Sequence, residues 1–529
     1  MRKWLPLITV SLGTFMLLID VTIVNVALPD MATDLHSSFS SLQWVIDIYA
    51  LALAALLLGI GAYSDKVGRR PVYIAGLVVF ALSSLSCGLA PSTTVLIVSR
   101  GVQGIGAAAM FATTIALLST SYDGRDRGIA FGVWGAINGA AAAAGPILGG
   151  LLTEGLSWRW IFFVNLPISV VAVALSVYAL SKDEPRRAGR VDLPGMVAFT
   201  VSAAAVTYAL TRASDAGWGS AQTIGLLALS VVALVAFVVI ETRSRQPLLD
   251  LALLRRPRFS AVLVAAFILS LAAFSYLTYI SLWLQSVRGM SPIGAGAAFL
   301  PLSLASLTVS LAVGRFLHTP TAQRWALTGG LTLIGSGALL AAHLDAGSDW
   351  SSVLIGLLVT GIGVGLVAPT LASAALGAVP QQLGGMASGA LNTMRQLGYA
   401  LGIAGLGVVL QSRIGHTLSG TPHVADSGRL AKAVAGGQSQ AVLGNAPPAA
   451  RAGLDQAIHA AFASGLNATL VICGVAGLIG AVIVAVALRP NASEQPLAAP
   501  DESERPGASE PPRAAPARPQ RSAAGQTSR

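Results

Sequence analysis

The sequence predicts an all-α integral membrane protein with fourteen transmembrane helices. Of its 529 residues, 54% are hydrophobic and 11% are charged, whereas about a quarter of the residues in soluble domains are charged. Crossing the ~30 Å hydrocarbon layer takes about 20 mostly apolar residues. Such stretches recur from Leu5 to Pro490 with short polar breaks between them, so most of the chain faces lipid.

The predicted spans follow one another along the chain from the first residues onward. They cover residues 7–29, 42–62, 72–90, 94–118, 129–152, 160–181, 193–212, 222–240, 259–284, 292–314, 325–343, 352–377, 386–410 and 465–488. The first span follows Arg2 and Lys3, as in a secretory signal, but it lacks a clear small-residue cleavage site. We therefore expect it to be retained as a helix.

The distribution of basic residues predicts the orientation. If both termini are cytoplasmic, most loop lysines and arginines fall inside, and the short outer loops contain only Arg159, Arg212 and Arg288. An inside excess of this kind sets the topology of a membrane protein. The basic residues form no single large patch, so the net charge of +10 does not indicate a nucleic-acid partner.

An internal repeat predicts two six-helix bundles. Glycines of the fourth and fifth spans, such as Gly104 and Gly128, recur at a constant offset as Gly361 and Gly385. Parallel repeats are typical of one transporter architecture, with the substrate path between the halves. The predicted limits are 1–190 for the first bundle, 191–245 for two inserted helices, 246–490 for the second bundle with a long, partly helical outer loop at 411–464, and 491–529 for a disordered cytoplasmic tail.

Charged side chains inside the spans are the first candidates for a functional site. Asp20, Asp47, Arg100 and Arg395 all lie within apolar stretches, where a charge costs about 2.5 to 3.5 kcal/mol. The first three are expected in the outer half of the membrane. They either form a fixed structural ion pair or exchange a proton, with protonation of the carboxylate following the approach of Arg100.

Two glycine-containing motifs predict tight turns and close helix contacts. In the cytoplasmic break after the second span, glycines permit a turn and an acid can cap a helix or pair with arginine. This motif, GAYSDKVGRR, contains Gly61, Asp65, Lys66, Gly68, Arg69 and Arg70. In the fifth span, small residues let another helix approach and proline indicates a bend. That motif contains Gly139, Gly145, Pro146, Gly149 and Gly150.

These motifs resemble those of the major facilitator superfamily, and within it the fourteen-helix drug:proton antiporters of bacteria. GAYSDKVGRR is similar to the loop signature, with Lys66 where arginine is commoner, and LIVSRGVQGIGAAA is similar to the fourth-helix signature. GPILGG resembles the fifth-helix signature of exporters, and LIDVTIVNVALP and WRWIFFVNLP resemble strings of the fourteen-helix group. In the second half, His318 stands where the first half has Asp65, so symmetric gating is not expected.

The resemblance implies a major facilitator fold and a proton-coupled antiporter that exports small amphipathic compounds, such as drugs, antibiotics or secondary metabolites, by alternating access. It implies proton binding by Asp20, with Asp47, and sensing of that charge by Arg100. It also implies a monomer in the lipid bilayer of the cytoplasmic membrane. The polar candidates for the substrate cavity are Asn25, Gln43, Gln103, Asn138, Asn392, Arg395 and Gln396.

Other functions remain open with less support. A proton-coupled uptake symporter would use the same fold, although GPILGG favours export. A membrane enzyme or sensor is disfavoured because the sequence contains neither HExxH nor a phosphate-binding loop. Cys87 and Cys473 lie in separate apolar stretches and indicate no disulfide or metal site. We expect no cofactor, no metal and no catalytic residue.

Overall fold

A computed structural model describes residues 2–37, 39–181, 192–244, 247–316, 319–419 and 426–489. In this part every regular element is a helix. The first nine α-helices are α1 Leu5–Asp34, α2 Phe39–Val67, α3 Arg69–Gly88, α4 Thr93–Ser121, α5 Gly124–Gly155, α6 Trp160–Phe163, α7 Asn165–Ala179, α8 Leu193–Ala216 and α9 Ala221–Arg243. All-helical structure is expected in lipid, since a helix satisfies its backbone polar groups internally.

The remaining helices form the second part of the chain. They are α10 Leu251–Leu254, α11 Pro257–Leu269, α12 Ser275–Leu282, α13 Pro292–Ala297, α14 Leu300–Val313, α15 Pro320–Ala341, α16 Leu354–Gly377, α17 Gly384–Ser419, α18 Ser427–Ala435, α19 Ser439–Asn445 and α20 Pro448–Ala487. Two π-helical turns, Ser270–Phe274 and Trp283–Val287, continue α11 and α12.

Twelve helices in the described ranges are long and apolar enough to cross a membrane. They do not include α5 and α15, which have 32 and 22 residues and occupy the fifth and eleventh predicted spans. The structure is thus compatible with fourteen spans, and this number stays a prediction. The predicted domain limits also stay predictions, because residues 182–191 and 245–246 are outside the described part and so is the tail at 491–529.

Glycines bring neighbouring helices into backbone contact within each half. A Cβ atom on Gly106 of α4 would lie 2.9 Å from the carbonyl oxygen of Gly76 of α3. Similarly, a Cβ atom on Gly363 of α16 would lie 2.5 Å from the carbonyl oxygen of Gly330 of α15. Small residues at helix interfaces permit such approach in membranes, so the glycine spacing of the sequence has a direct packing role.

The segment predicted as a long outer loop is largely helical where it is described. The helix α17 continues to Ser419, α20 begins at Pro448, and α18 and α19 lie between them. Ala431 and Val434 of α18 are buried in one apolar cluster with residues of α17 and α20. The apolar face of α18 therefore anchors this segment on the helices that flank it.

Candidate functional site

A buried ion pair joins α1 to α4. Asp20 is fully buried and Arg100 is 1% exposed, and Arg100 Nη1 lies 2.5 Å from Asp20 Oδ2. The guanidinium also donates through Nε to the carbonyl oxygen of Val45 at 3.1 Å. It lies over the ring of Tyr49, with 4.2 Å from Cζ to the ring centroid. The structure therefore brings together two of the three predicted coupling residues.

Two amide side chains complete the surroundings of Asp20. Gln103 Nε2 and Asn165 Nδ2 donate to Asp20 Oδ1 at 3.1 and 3.0 Å. Both amides also donate to Oγ of Ser84, at 3.2 and 3.0 Å. Gln103 Oε1 in turn accepts from Arg100 Nη1 at 2.7 Å. Three helices, α1, α4 and α7, thus meet at one carboxylate, and α3 joins the network through Ser84.

The network is suited to the ionised form of Asp20. Both carboxylate oxygens accept hydrogen bonds from Arg100, Gln103 or Asn165. The O–H group of a protonated carboxyl would instead point at these N–H donors. Removing one partner of a buried ion pair typically costs about 3 to 5 kcal/mol, because the remaining charge is left uncompensated. Protonation of Asp20 would therefore remove the counter-charge of Arg100.

The third predicted coupling residue lies on α2. Asp47 is half-buried on α2, and the hydrogen bonds of Asp20 and Arg100 described above do not include it. Conversely, the sequence analysis missed Ser84 and Asn165. Asn165 lies in the string WRWIFFVNLP, but this string does not indicate that its amide contacts Asp20.

A second ionic cluster forms where α2 ends. Asp65 Oδ1 accepts from Arg69 Nη2 and Nε at 2.8 and 3.0 Å, and both side chains are almost fully buried. The same carboxylate accepts from the backbone N–H groups of Gly385 and Met386, each at 2.8 Å. These groups belong to the first turn of α17, where the helix dipole favours a negative charge. Asp65 therefore caps a helix of the second half.

The turn after Asp65 has the conformation that its glycine predicts. Gly68 has φ of 109°, a region that favours glycine, and it allows α3 to begin at Arg69. Arg70 Nη2 donates to the carbonyl oxygen of Val177 on α7 at 2.5 Å. Lys66 lines a small pocket with Asp192, Leu248 and Met386. The basic residues of the motif thus contact several different elements.

Two helix crossings at this end depend on glycine. In the first crossing, a Cβ atom on Gly61 of α2 would lie 2.5 Å from the carbonyl oxygen of Gly385 of α17. In the second crossing, a Cβ atom on Gly132 of α5 would lie 2.6 Å from the carbonyl oxygen of Ser310 of α14, and Gly314 approaches Gly128. No larger residue fits at these positions without backbone movement.

Comparison with known proteins identifies the family. Residues 10–403 match the family model described as Major Facilitator Superfamily. The chain belongs to the major facilitator superfamily. It is accordingly a multi-pass membrane protein with the fold of that superfamily.

Curated relatives are named as resistance or export proteins. The chain is 37% identical to the multidrug resistance protein Stp of Mycobacterium tuberculosis, over 79% of this chain and 78% of that protein. It is 31% identical to the tetracenomycin C resistance and export protein of Streptomyces glaucescens, over 95% and 94%. The puromycin resistance protein pur8 of Streptomyces alboniger is 35% identical over 77% and 82%.

A solved structure shares the superfamily fold. The human organic anion transporter MFSD10 matches with a TM-score of 0.62, covering 91% of this chain and 99% of that chain. The sequence identity is 17%, so this likeness concerns the fold alone.

The fifth-helix motif of this superfamily member packs against other helices. The helix α5 is continuous from Gly124 to Gly155 and includes Gly139 and Pro146. A Cβ atom on Gly145 would overlap the Thr22 side chain of α1, and one on Gly150 would lie 3.3 Å from Ile293. Gly149 is buried. The glycines thus permit contacts with both α1 and α13.

The predicted cavity residues of this superfamily member have different surroundings. Asn138 Nδ2 donates to the carbonyl oxygen of Trp134 at 2.7 Å, and Asn392 Nδ2 donates to that of Phe111 at 3.4 Å. Arg395 and Gln396 are half-buried on α17. Asn25 and Gln43 belong to α1 and α2, but their side chains lie outside the described part.

Gln103 differs from its prediction as a cavity residue. It is fully buried, and its amide completes the network around Asp20. The sequence pattern did not separate these roles, because a glutamine in a membrane helix needs hydrogen bonds in either place.

Proposed function

We propose that this chain is a proton-coupled antiporter that exports small amphipathic compounds by alternating access. The curated relatives support export, since they are named for multidrug, tetracenomycin C or puromycin resistance. The observation that carries proton coupling is the buried Asp20–Arg100 pair. We further propose that both termini are cytoplasmic and that the chain comprises two six-helix halves with α8 and α9 inserted between them.

In this mechanism, Asp20 binds the transported proton. Neutralising the carboxylate removes the counter-charge of Arg100 in a place where water cannot replace it. The helices α1 and α4 then lose the ionic contact between them, and the helices of the network can rearrange. One charge moved through ~100 mV supplies about 2.3 kcal/mol, which corresponds to a gradient of about 50-fold for a neutral compound.

The two glycine crossings would close the cytoplasmic end of the path in the described conformation. Opening this end separates α2 from α17 and α5 from α14. The hydrogen bonds from Gly385 and Met386 to Asp65 would then break, so the Asp65 carboxylate contributes to the energy difference between the two states.

The test is flux in proteoliposomes with puromycin as substrate and an imposed pH gradient. We expect Asp20→Asn to abolish gradient-driven flux, because the asparagine amide does not ionise at this position. The matched control is Asp34→Asn, since Asp34 lies on the same helix and pairs with Arg159 at 2.9 Å on an exposed surface. The control should transport like the wild type.

Two results would reject parts of the proposal. Unchanged gradient-driven flux in Asp20→Asn would remove Asp20 as the proton site. Puromycin movement in the same direction as the proton would indicate uptake by symport instead of export.

A further inference from the structure

Arg395 is a cation in the middle of a membrane helix. It lies about 16 Å along α17 from Gly384 at 1.5 Å per residue. Among the described residues no ion pair or hydrogen bond to its side chain is found, and its Cζ lies 6.0 Å from the centroid of the Phe111 ring.

The side chain of Arg395 faces other helices of the protein. One turn earlier, Asn392 donates to the carbonyl oxygen of Phe111 on α4. One turn later, the hydroxyl of Tyr399 lies 3.3 Å from that of Thr278 on α12. Residues at this spacing share one helix face. Yet Arg395 is only half-buried and Tyr399 is 38% exposed, so other helices cover this face only in part.

Arg395 contrasts with Arg100, the other arginine deep in the helices. Arg100 is paired with Asp20 and also donates to Gln103 and to the carbonyl oxygen of Val45. Arg395 has five N–H donors without such partners. Near it, Asn392 is fully buried and its Oδ1 has no hydrogen-bond partner within the described ranges. A charge in these surroundings requires compensation.

We propose that Arg395 binds the acidic group of those transported compounds that carry one. A carboxylate or sulfonate matches the guanidinium fork in charge and geometry, and the partly exposed ring of Tyr399 offers apolar surface to an attached hydrocarbon or aromatic body. The assignment adds acidic compounds to the substrates of the exporter, beside compounds without an acid such as puromycin. Its transport part rests on the proposed function, whereas binding can be measured without transport.

The test measures equilibrium binding to the purified full-length protein at neutral pH. The probes are radiolabelled 2-naphthoate and 2-naphthamide, which have the same apolar body and differ in charge. For Arg395→Gln we expect the affinity for 2-naphthoate to fall about ten-fold or more, with the affinity for 2-naphthamide changed less than about two-fold. Arg395→Lys should retain most of the preference for the anion. The control is Arg413→Gln, an exposed arginine on the same helix.

Each outcome decides one of the two proposals. Equal binding of 2-naphthoate by the wild type and Arg395→Gln, or no binding of it by the wild type, would overturn the acidic-substrate assignment. A parallel loss of both probes would indicate a structural role for Arg395 and would also overturn it. Arg395-dependent binding of 2-naphthoate without gradient-driven export of any probe would support the assignment and contradict the proposed function.

Discussion

The two glycine crossings bring helices equally close, but among the described side chains an ion pair is found at only one of them. At the first crossing, Gly61 meets Gly385, and Asp65 caps α17 while pairing with Arg69. At the second crossing, Gly132 and Gly314 permit the same approach between α5 and α14, but no ion pair joins these two helices in the described ranges. Steric fit therefore creates both contacts, and electrostatics strengthens the first.

Helix α8 adds to this difference. The helix α8 packs against both α2 and α17, and Asp192 and Lys66 share a pocket beside Asp65 and Met386. In the part of the chain that the structure describes, neither α8 nor α9 packs extensively on α5 or α14. The first crossing is thus supported from a third side, which suits a gate whose opening has to be controlled.

The largest expected effect concerns the charge at the first crossing. Asp65→Ala leaves Arg69 buried without its carboxylate and removes the acceptor of two N–H groups, so the free energy of unfolding should fall by about 3 to 5 kcal/mol. Denaturant unfolding in detergent measures this change, and puromycin flux should fall with it. Asp123→Ala is the control, because the Asp123 side chain is 94% exposed in its pair with Arg127 and should contribute less than about 1 kcal/mol. Equal effects of the two substitutions would contradict the comparison.

An intermediate effect is expected from sterics, and it should be the same at both crossings. Gly61→Ala and Gly132→Ala each place a methyl group against a carbonyl oxygen and should lower the free energy of unfolding by about 1 to 3 kcal/mol. Gly219→Ala is the control, since a Cβ atom there meets nothing within 4 Å. If Gly132→Ala behaved like the control, the second crossing would not be a tight contact.

The smallest expected effect concerns Glu241 on α9. Glu241 of α9 is 4% exposed and accepts from the N–H of Leu249 at 3.2 Å. Its Oε1 and the carboxylate of Asp192 both lie close to Gly195. Glu241→Gln retains the acceptor for Leu249 and adds a donor toward Asp192, so the free energy of unfolding should change by less than about 1 kcal/mol. A larger loss in thermal or denaturant unfolding would mean that Glu241 is ionised and paired.

From the sequence we could predict those site residues that are unusual by themselves, without knowledge of their partners in the fold. Asp20 and Arg100 stand out because a charge in lipid requires a partner or a function, and Asp65 stands out because it lies in a turn motif where an acid can cap a helix or pair with arginine. Ser84 and Asn165 do not stand out, since short polar residues are common in membrane helices and only the fold brings them to Asp20. The partners of Asp65 are backbone N–H groups of Gly385 and Met386, and every residue except proline has such a group.

The long sequence separation of the Asp65 cap has a consequence for biosynthesis. Asp65 and Gly385 are 320 residues apart, so Asp65 is synthesised long before the helix that it caps. Arg69, four residues later, can neutralise Asp65 locally during this interval. The nascent first half would then insert with its charge already balanced, and docking of α17 would complete the contact as a late step of assembly.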